Sequence, residues 1–483
     1  MRILQTTVIL FFLSVSELLF ALQDVNFNST REEIDQSVLF ARVSDGKILY
    51  EDNPDLPLTP ASIAKLFGAA ALLKTFGLNY RVGTEFFHSG VNKNGEVQGD
   101  LIVVGRGDPK LVSEDLWKIV ADLDYMGIKS FTGNLVLDNS FFRDAKSHDR
   151  VEKVAQNSYD SPLSALSVNF NNYELAISPS PKVGELANVE FYPYPLEGVP
   201  IYNSLKTVSS QKRENLEVTR VLKNGKDFIE VRGNIRVSSP LIKIHRSASQ
   251  AFQLTGRTLK AFLKGRGIQL KGDIKEGLLE NYKNKTKLFS YKGQAMSTYV
   301  DDFLAYSNNF MIDMLINLLG ASSGMKGDTY EMGMKSLDYF TSKKSFPGKG
   351  FYLEKASGLS NKSRMSARQM VSFLSELSKE DAFFPNFLAN ITVPQTDGTL
   401  KKRFQFQDAL PYQKMIRAKT GTLLTPVSVS SLAGYLLHPT GLIAFAVIQN
   451  GKVGKKNQAN IINLRKAVDL GVVQFLKKYE EKL

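Results

Sequence analysis

The chain has 483 residues, a formal net charge of +13 and no cysteine. That length exceeds what one hydrophobic core usually serves, so two or three domains are expected, and 43% apolar with 23% charged residues is an ordinary globular composition. The missing cysteines exclude disulfides, thiol nucleophiles, iron–sulfur clusters and thiolate zinc sites, and the four scattered histidines (His88, His148, His245, His438) offer no multi-histidine metal site.

The basic residues are spread along the chain without an RNP, zinc-finger or P-loop pattern, which disfavours a nucleic-acid partner. A positive surface that meets a polyanion such as a cell wall or an anionic membrane face remains open.

In chain order, Met1-Arg2 and the apolar run Thr6–Leu13 read as a signal peptide over residues 1–21. Small residues at Ser14-Val15-Ser16 place cleavage after residue 16, with a second option after Ala21. Glu17 interrupts the run, which is short for a spanning helix, and no later stretch reaches 18 uninterrupted apolar residues. The expectation is a protein exported to a periplasmic or other extracytoplasmic location.

Ser37–Val43 and Lys47–Tyr50 flank Ser44-Asp45-Gly46, a hairpin pattern. Past Pro60, the Ala- and Leu-rich run Ile63–Phe76 predicts a buried helix. A β-leaning stretch follows, with tight turns at Asn94-Gly95 and Asn224-Gly225, and dense Pro and Gly from Pro179 to Pro200 mark a seam. From Met296 the pattern turns helical, over Tyr299–Leu319, Tyr330–Phe340 and Ala367–Leu377. Strand-like runs at Lys414–Lys419, Val427–Leu437 and Leu442–Gln449 precede a last amphipathic helix, Ala459–Lys478.

That order predicts an α+β fold in which the N-terminal hairpin and the C-terminal meander complete one antiparallel sheet flanked by helices. Residues 22–75 and 283–483 would form the split domain. Residues 76–282 would be a β-rich insertion, with a second small lobe near 171–245.

Three short motifs could carry chemistry. Ser62-Ile63-Ala64-Lys65 sits where a helix begins, so Lys65 lies one turn from the Ser62 hydroxyl, and a desolvated amine beside other cations can act as a base. Ser209–Lys212 and Ser323–Lys326 satisfy the same pattern, and an N-cap serine with an exposed lysine is the plain alternative. Ser307-Asn308-Asn309 follows an apolar helical segment, but Ser167-Val168-Asn169 has the same spacing. Lys419-Thr420-Gly421-Thr422 ends a strand-like run and is the one K-T-G in the chain. There Gly421 would allow close backbone approach, Lys419 would add charge, and Thr420 and Thr422 would offer hydroxyls to a carboxylate.

Together, in this order and at intervals of 245 and 112 positions, the motifs resemble those of penicillin-binding proteins and serine β-lactamases. The long first interval resembles the class C low-molecular-mass penicillin-binding proteins, the D-alanyl-D-alanine carboxypeptidase/endopeptidase family, which carry inserted domains there. Gly107-Asp108-Pro109, Pro162–Ser167, Ser357–Ser360, Asp397–Leu400 and Leu432–Tyr435 also resemble family segments. For Gly107-Asp108-Pro109 the residues themselves suggest a structural turn closed by the aspartate side chain.

The resemblance implies a transpeptidase-like domain with inserted β-rich domains and acyl transfer without metal or organic cofactor. Ser62 would be the nucleophile, Lys65 its base, and Ser307 and Lys419 the proton relay to the leaving amine. Asn309, Thr420, Gly421, Thr422 and Tyr159 would bind substrate, with the N–H groups of Ser62 and Thr422 around the oxyanion. Peptidoglycan stem peptides and cross-links would be substrates and β-lactams inhibitors. A β-lactamase, or a non-catalytic wall-binding scaffold of the same fold, is the alternative. Two positions depart from relatives that act on diaminopimelate-type walls: Asn361 stands where they place an arginine, and Val154 where they place an acid five residues before an aromatic, with Glu152 or Asp160 as substitutes.

Overall fold

A computed structural model describes residues 25–28, 30, 32–143, 156–158, 161–342, 350–452 and 459–481. The expected signal peptide and the positions Glu152, Val154, Tyr159 and Asp160 lie outside the described residues. The chain forms two units. The first comprises Met1–Leu78, Val300–Ile312 and Met334–Leu483, and the second Asn79–Tyr299 with Asp313–Gly333.

The first unit is built on a five-stranded antiparallel sheet in the order Ile416–Leu423, Val429–His438, Gly441–Gly451, Ile34–Arg42, Ile48–Asp52. The N-terminal hairpin thus joins the C-terminal meander, with Val38 opposite Val447 and Phe40 opposite Phe445. One face of the sheet is covered by the final helix Ile461–Glu480, whose Phe475 ring stacks on Phe40 at 4.1 Å between centroids. On the other side lie the helices Ala367–Ser378 and Lys65–Phe76; Tyr435 Oη reaches Leu374 O, and Phe67 packs on Phe373. The interior strand Val429–His438 is buried nearly throughout, as a strand covered on both faces must be.

Helix Lys65–Phe76 is buried on every side from Lys65 to Leu73 and apolar there apart from Lys65, while Lys74 and Thr75 are exposed at its end; Gly77 closes it with a left-handed φ and an N–H donated to Leu73 O. The sequence suggested a helix from Ile63. A 3-10 turn, Ala61–Ala64, comes first and the α-helix starts at Lys65.

The continuous helix read over Tyr299–Leu319 is instead two, Met296–Ala305 and Asn309–Ser322. The break lies at Ser307, held at φ +57°, after which Asn308 Oδ1 accepts the Met311 N–H and caps the second helix. Apolar periodicity runs straight through this break, which is why the sequence pattern did not reveal it.

The second unit is rich in short strands. One five-stranded sheet runs Ile274–Glu276, Leu135–Asp138, Leu101–Gly105, Arg81–His88, Thr286–Ala295, beside a four-stranded sheet of Gln269–Leu270, Ser130–Phe131, Glu96–Gln98 and Val91–Lys93. They share a core that includes Phe86, Leu101, Phe131 and Leu263. A separate core, with Tyr173, Ile177, Ile229 and Val231, lies between a three-stranded sheet (Asn188–Phe191, Asn172–Ser178, Ile242–Ser247) and a four-stranded one. In the latter, Asn215–Lys223 and Lys226–Arg236 form a hairpin. Its turn, Asn224-Gly225, has φ of +52° and +71°, the geometry for which that dipeptide is suited.

In this unit Asp108 is buried. It accepts the Lys110 N–H, forming the expected turn, and the Tyr299 hydroxyl at 2.8 Å. Burial raises its carboxyl to about 6.

Candidate active site

The segment carrying Ser62 is clamped by the sheet before any chemistry is considered. Asn450 accepts the Thr59 N–H through Oδ1 and donates to Thr59 O through Nδ2, and Ser431 Oγ donates to Pro60 O at 2.6 Å. Two glycines allow the surrounding backbone to close in. A Cβ on Gly421 would lie 2.1 Å from Ser431 Oγ, 2.8 Å from Pro60 O and 3.1 Å from Ser62 N. A Cβ on Gly358, at φ +73°, would meet Ala61 O at 2.0 Å and Ser62 N at 3.0 Å. The close neighbours at Gly421 are Ser431 of the adjacent strand and the backbone of the Ser62 turn.

In a 3-10 turn residues i and i+3 eclipse, so Lys65 falls directly in line with Ser62. Its Nζ lies 2.9 Å from Ser62 Oγ, 2.6 Å from Asn309 Oδ1 and 2.7 Å from Ser357 O. Asn309 Oδ1 and Ser357 O only accept, so they take two Nζ hydrogens and leave the third position on nitrogen facing Ser62 Oγ. In the neutral amine that position is the lone pair. Lys65 is fully buried, which removes the alternative of an N-cap serine beside a solvated lysine.

Lys419 is also buried, 1% exposed, with Nζ donating to Thr420 O at 2.8 Å. Burial, reinforced by the charge of Lys65, holds its pKa well below the usual lysine value. A solvated strand-end lysine is therefore excluded. Thr420 donates to Thr399 Oγ1 at 2.7 Å, and Thr422 Oγ1 accepts from Arg465 at 3.1 Å.

Ser62, Ser307, Asn309, Thr399, Thr420 and Thr422 line one cavity of about 390 Å³ together with Arg403 and Arg465. The cations on its wall are thus the two arginines, while Lys419 lies behind it. Arg403 is fixed by a bidentate pair with Asp469 (2.8 and 2.7 Å) and donates to Arg465 O at 3.2 Å. Burial lowers the Arg465 pKa, Arg403 adds to this, and Asp469 opposes it.

All the described residues of the three motifs therefore meet in one place, whereas the duplicate matches do not. Ser323 Oγ donates to Gly320 O at a helix end, Ser209–Lys212 closes a turn, and Asn169 accepts from Ser113. Tyr159, the remaining predicted substrate contact, is outside the described residues.

Four participants were not assigned by sequence reasoning. Ser357 and Thr399 fall in segments noted only for their family likeness, Ser357–Ser360 and Asp397–Leu400. Arg403 and Arg465 carry no motif and are brought together only by folding.

The D-Ala-D-Ala carboxypeptidase 3 (S13) family model matches residues 23–469. A D-alanyl-D-alanine carboxypeptidase of Actinomadura sp. (strain R39) is 28% identical over 433 residues, 86% of this chain and 78% of that protein. Penicillin-binding protein 4 (dacB) of Haemophilus influenzae superposes with a TM-score of 0.73 at 21% identity, covering 97% of this chain and 98% of that one. The same protein complexed with a β-lactam superposes at 0.70 and 20% identity, covering 93% and 96%. A predatory peptidoglycan endopeptidase of Bdellovibrio bacteriovorus superposes at 0.53 and 14% identity, over 93% and 92% of the two chains.

Proposed function

The chain belongs to the D-Ala-D-Ala carboxypeptidase 3 (S13) family, a family of serine peptidases, and from that premise we propose that it is a DD-carboxypeptidase and DD-endopeptidase of peptidoglycan, inhibited by β-lactams. The observation that carries the reading is the placement of Lys65 Nζ. The nitrogen is desolvated and its hydrogens are engaged by Asn309 and Ser357, with the remaining position on the Ser62 hydroxyl.

Ser62 Oγ attacks the carbonyl carbon of a D-Ala-D-Xaa bond while Lys65 takes its proton. The oxyanion that forms is met by the N–H groups of Ser62 and Thr422, donors typically worth about 3–4 kcal/mol of barrier each. The C–N bond then breaks, and the leaving amine receives a proton through Ser307, with Lys419 behind it. Water hydrolyses the acyl-Ser62 ester and regenerates the hydroxyl. Thr420 and Thr422 bind the substrate carboxylate, with Arg465 supplying the positive charge at the cavity wall. The relatives named as carboxypeptidase and as peptidoglycan endopeptidase support both cleavages, and the relative complexed with a β-lactam supports the inhibition.

Export by the N-terminal signal peptide to a periplasmic or extracytoplasmic site completes the proposal. No helix among the described residues is long and apolar enough to cross a membrane.

Labelling the mature protein with a fluorescent penicillin, beside Ser62→Ala, tests the reading. A band in the first that is absent from the second identifies the acylated serine. Digestion of a pentapeptide monomer and of a cross-linked dimer then measures the two activities. A folded wild-type protein that never labels overturns the proposal.

A further inference from the structure

The second unit contains a cavity of about 520 Å³ that has no part in the chemistry above. Trp117, Phe170, Tyr192, Tyr194 and Phe262 bring five aromatic rings to its wall. Three are well exposed, Trp117 at 57%, Tyr192 at 45% and Tyr194 at 36%, where large rings would ordinarily be covered.

The backbone is held out of its ordinary range to make this wall. Asn169, Phe170 and Asn171 have consecutive φ values of +52°, +56° and +53°. Asparagine tolerates that region, whereas for a bulky residue such as Phe170 it is a strained outlier. The two asparagines impose the conformation. Asn169 Oδ1 accepts the Ser113 N–H at 2.9 Å, and Asn171 Nδ2 donates to Pro162 O at 2.7 Å and Ser167 Oγ at 2.9 Å. Phe170, between these anchors, lines the cavity.

The polar groups say what kind of ligand would fit. Glu114 and Glu174 are matched by Lys118 and Lys243, and His245 stands beside Glu174 at 3.9 Å, so with a neutral imidazole the walls carry no net charge, which disfavours a phosphate or a simple carboxylate. Glu174 pairs with Lys243 at 3.0 Å, and Lys243 Nζ in turn lies 3.4 Å from the centroid of Tyr192. Lys243 therefore lies over one face of Tyr192, and Glu114, Lys118 and Glu174 share the wall with the other rings. A pyranose has the complementary layout, because its weakly positive C–H faces suit the negative faces of aromatic rings and its hydroxyl and acetamido groups project around the rim. The volume lies in the range of pockets that hold ligands of disaccharide size.

We propose that this cavity binds the glycan strand of peptidoglycan, taking a neutral N-acetylated β-1,4-linked disaccharide across Trp117, Phe170 and Tyr192. The proposal rests on the peptidoglycan reading of the first unit and supplies a holding site on the sugar polymer from which the stem peptides branch.

Trp117 is the one tryptophan of the chain, so tryptophan emission, excited selectively over tyrosine, reports on this cavity. The mature protein would be titrated with N,N′-diacetylchitobiose and with N-acetylated chitotetraose, both neutral. A saturable change in tryptophan emission is expected with both, weakened roughly tenfold or more in Phe170→Ala and in Tyr192→Ala, the loss of one stacked ring. Penicillin labelling of Ser62 should be unchanged in both variants, which separates failure here from failure of the catalytic reading. The proposal is overturned by the absence of a saturable change with either sugar probe at millimolar concentration. It is equally overturned by binding that both variants retain, or by a response to free stem peptide in place of the sugars.

Discussion

Lys65 Nζ donates to Asn309 Oδ1 at 2.6 Å, joining two residues 244 positions apart in the chain. That bond makes Asn309 a determinant of how the amine faces Ser62, in addition to the substrate contact expected from its motif. Replacing the amide by a carboxylate tests this. In Asn309→Asp the added negative charge favours the charged amine, so the alkaline shift of the acylation profile should be about one pH unit or more. At pH 7 acylation by penicillin should slow about tenfold or more, and rates measured from pH 6 to 10 would show partial recovery at the alkaline end.

Gly421→Ala should disable the site without unfolding the unit. The new methyl would sit 2.1 Å from Ser431 Oγ and 2.8 Å from Pro60 O, so strand Ile416–Leu423 must move away from the Ser62 turn. A small displacement of oxyanion donors is costly, and the acylation rate should fall by about 100-fold. The expected thermal midpoint loss is a few degrees. An acylation rate within about threefold of wild type would show that the close approach is not needed.

Arg465 touches Thr422 and stands on the cavity wall, so its charge should be felt in substrate binding. In Arg465→Ala, KM for a peptide ending in D-Ala-D-Ala should rise about 10-fold or more with a smaller change in kcat, the pattern of lost uniform binding. Arg465→Lys should restore part of the loss. A substrate with its carboxylate amidated should respond little to either change.

Asp108 provides a test of the second unit that is independent of catalysis. Burial, which disfavours its charged form, pushes its carboxyl up to about 6 from the ordinary 3.8. Between these values the folded protein holds a proton that the unfolded chain has released. The associated stability is fully present below about 3.8 and is lost as pH rises through about 6. Asp108→Asn keeps an acceptor for Lys110 and Tyr299 and should gain about 2–3 kcal/mol relative to wild type at pH 7, a gain that vanishes by about pH 4. Denaturant unfolding at both pH values measures it.

Much of the fold was legible because its causes are local. The Ser44-Asp45-Gly46 and Asn224-Gly225 turns, the Ala/Leu-rich run before Phe76 and the three closing strands are set by residues within a few positions of one another. The break at Ser307 was hidden because apolar spacing on either side stays helical, and the left-handed residue is a serine, which gives no local warning. The 3-10 start at Ala61–Ala64 was hidden in the same way, since both helices place i and i+3 together.

The motif spacing made the meeting of Ser62 and Lys65 available, because residues i and i+3 share a helical face. It also singled out Lys419-Thr420-Gly421-Thr422, whose composition suits a strand packed closely on a neighbour. Only the tertiary structure decided that Lys419 is buried and that Arg403 and Arg465 are the cations lining the cavity. It also supplied Ser357 O as the second acceptor for Lys65. The physical reason is that burial and charge at a site depend on packing between segments hundreds of residues apart, and a backbone carbonyl carries no side-chain identity for a sequence to display.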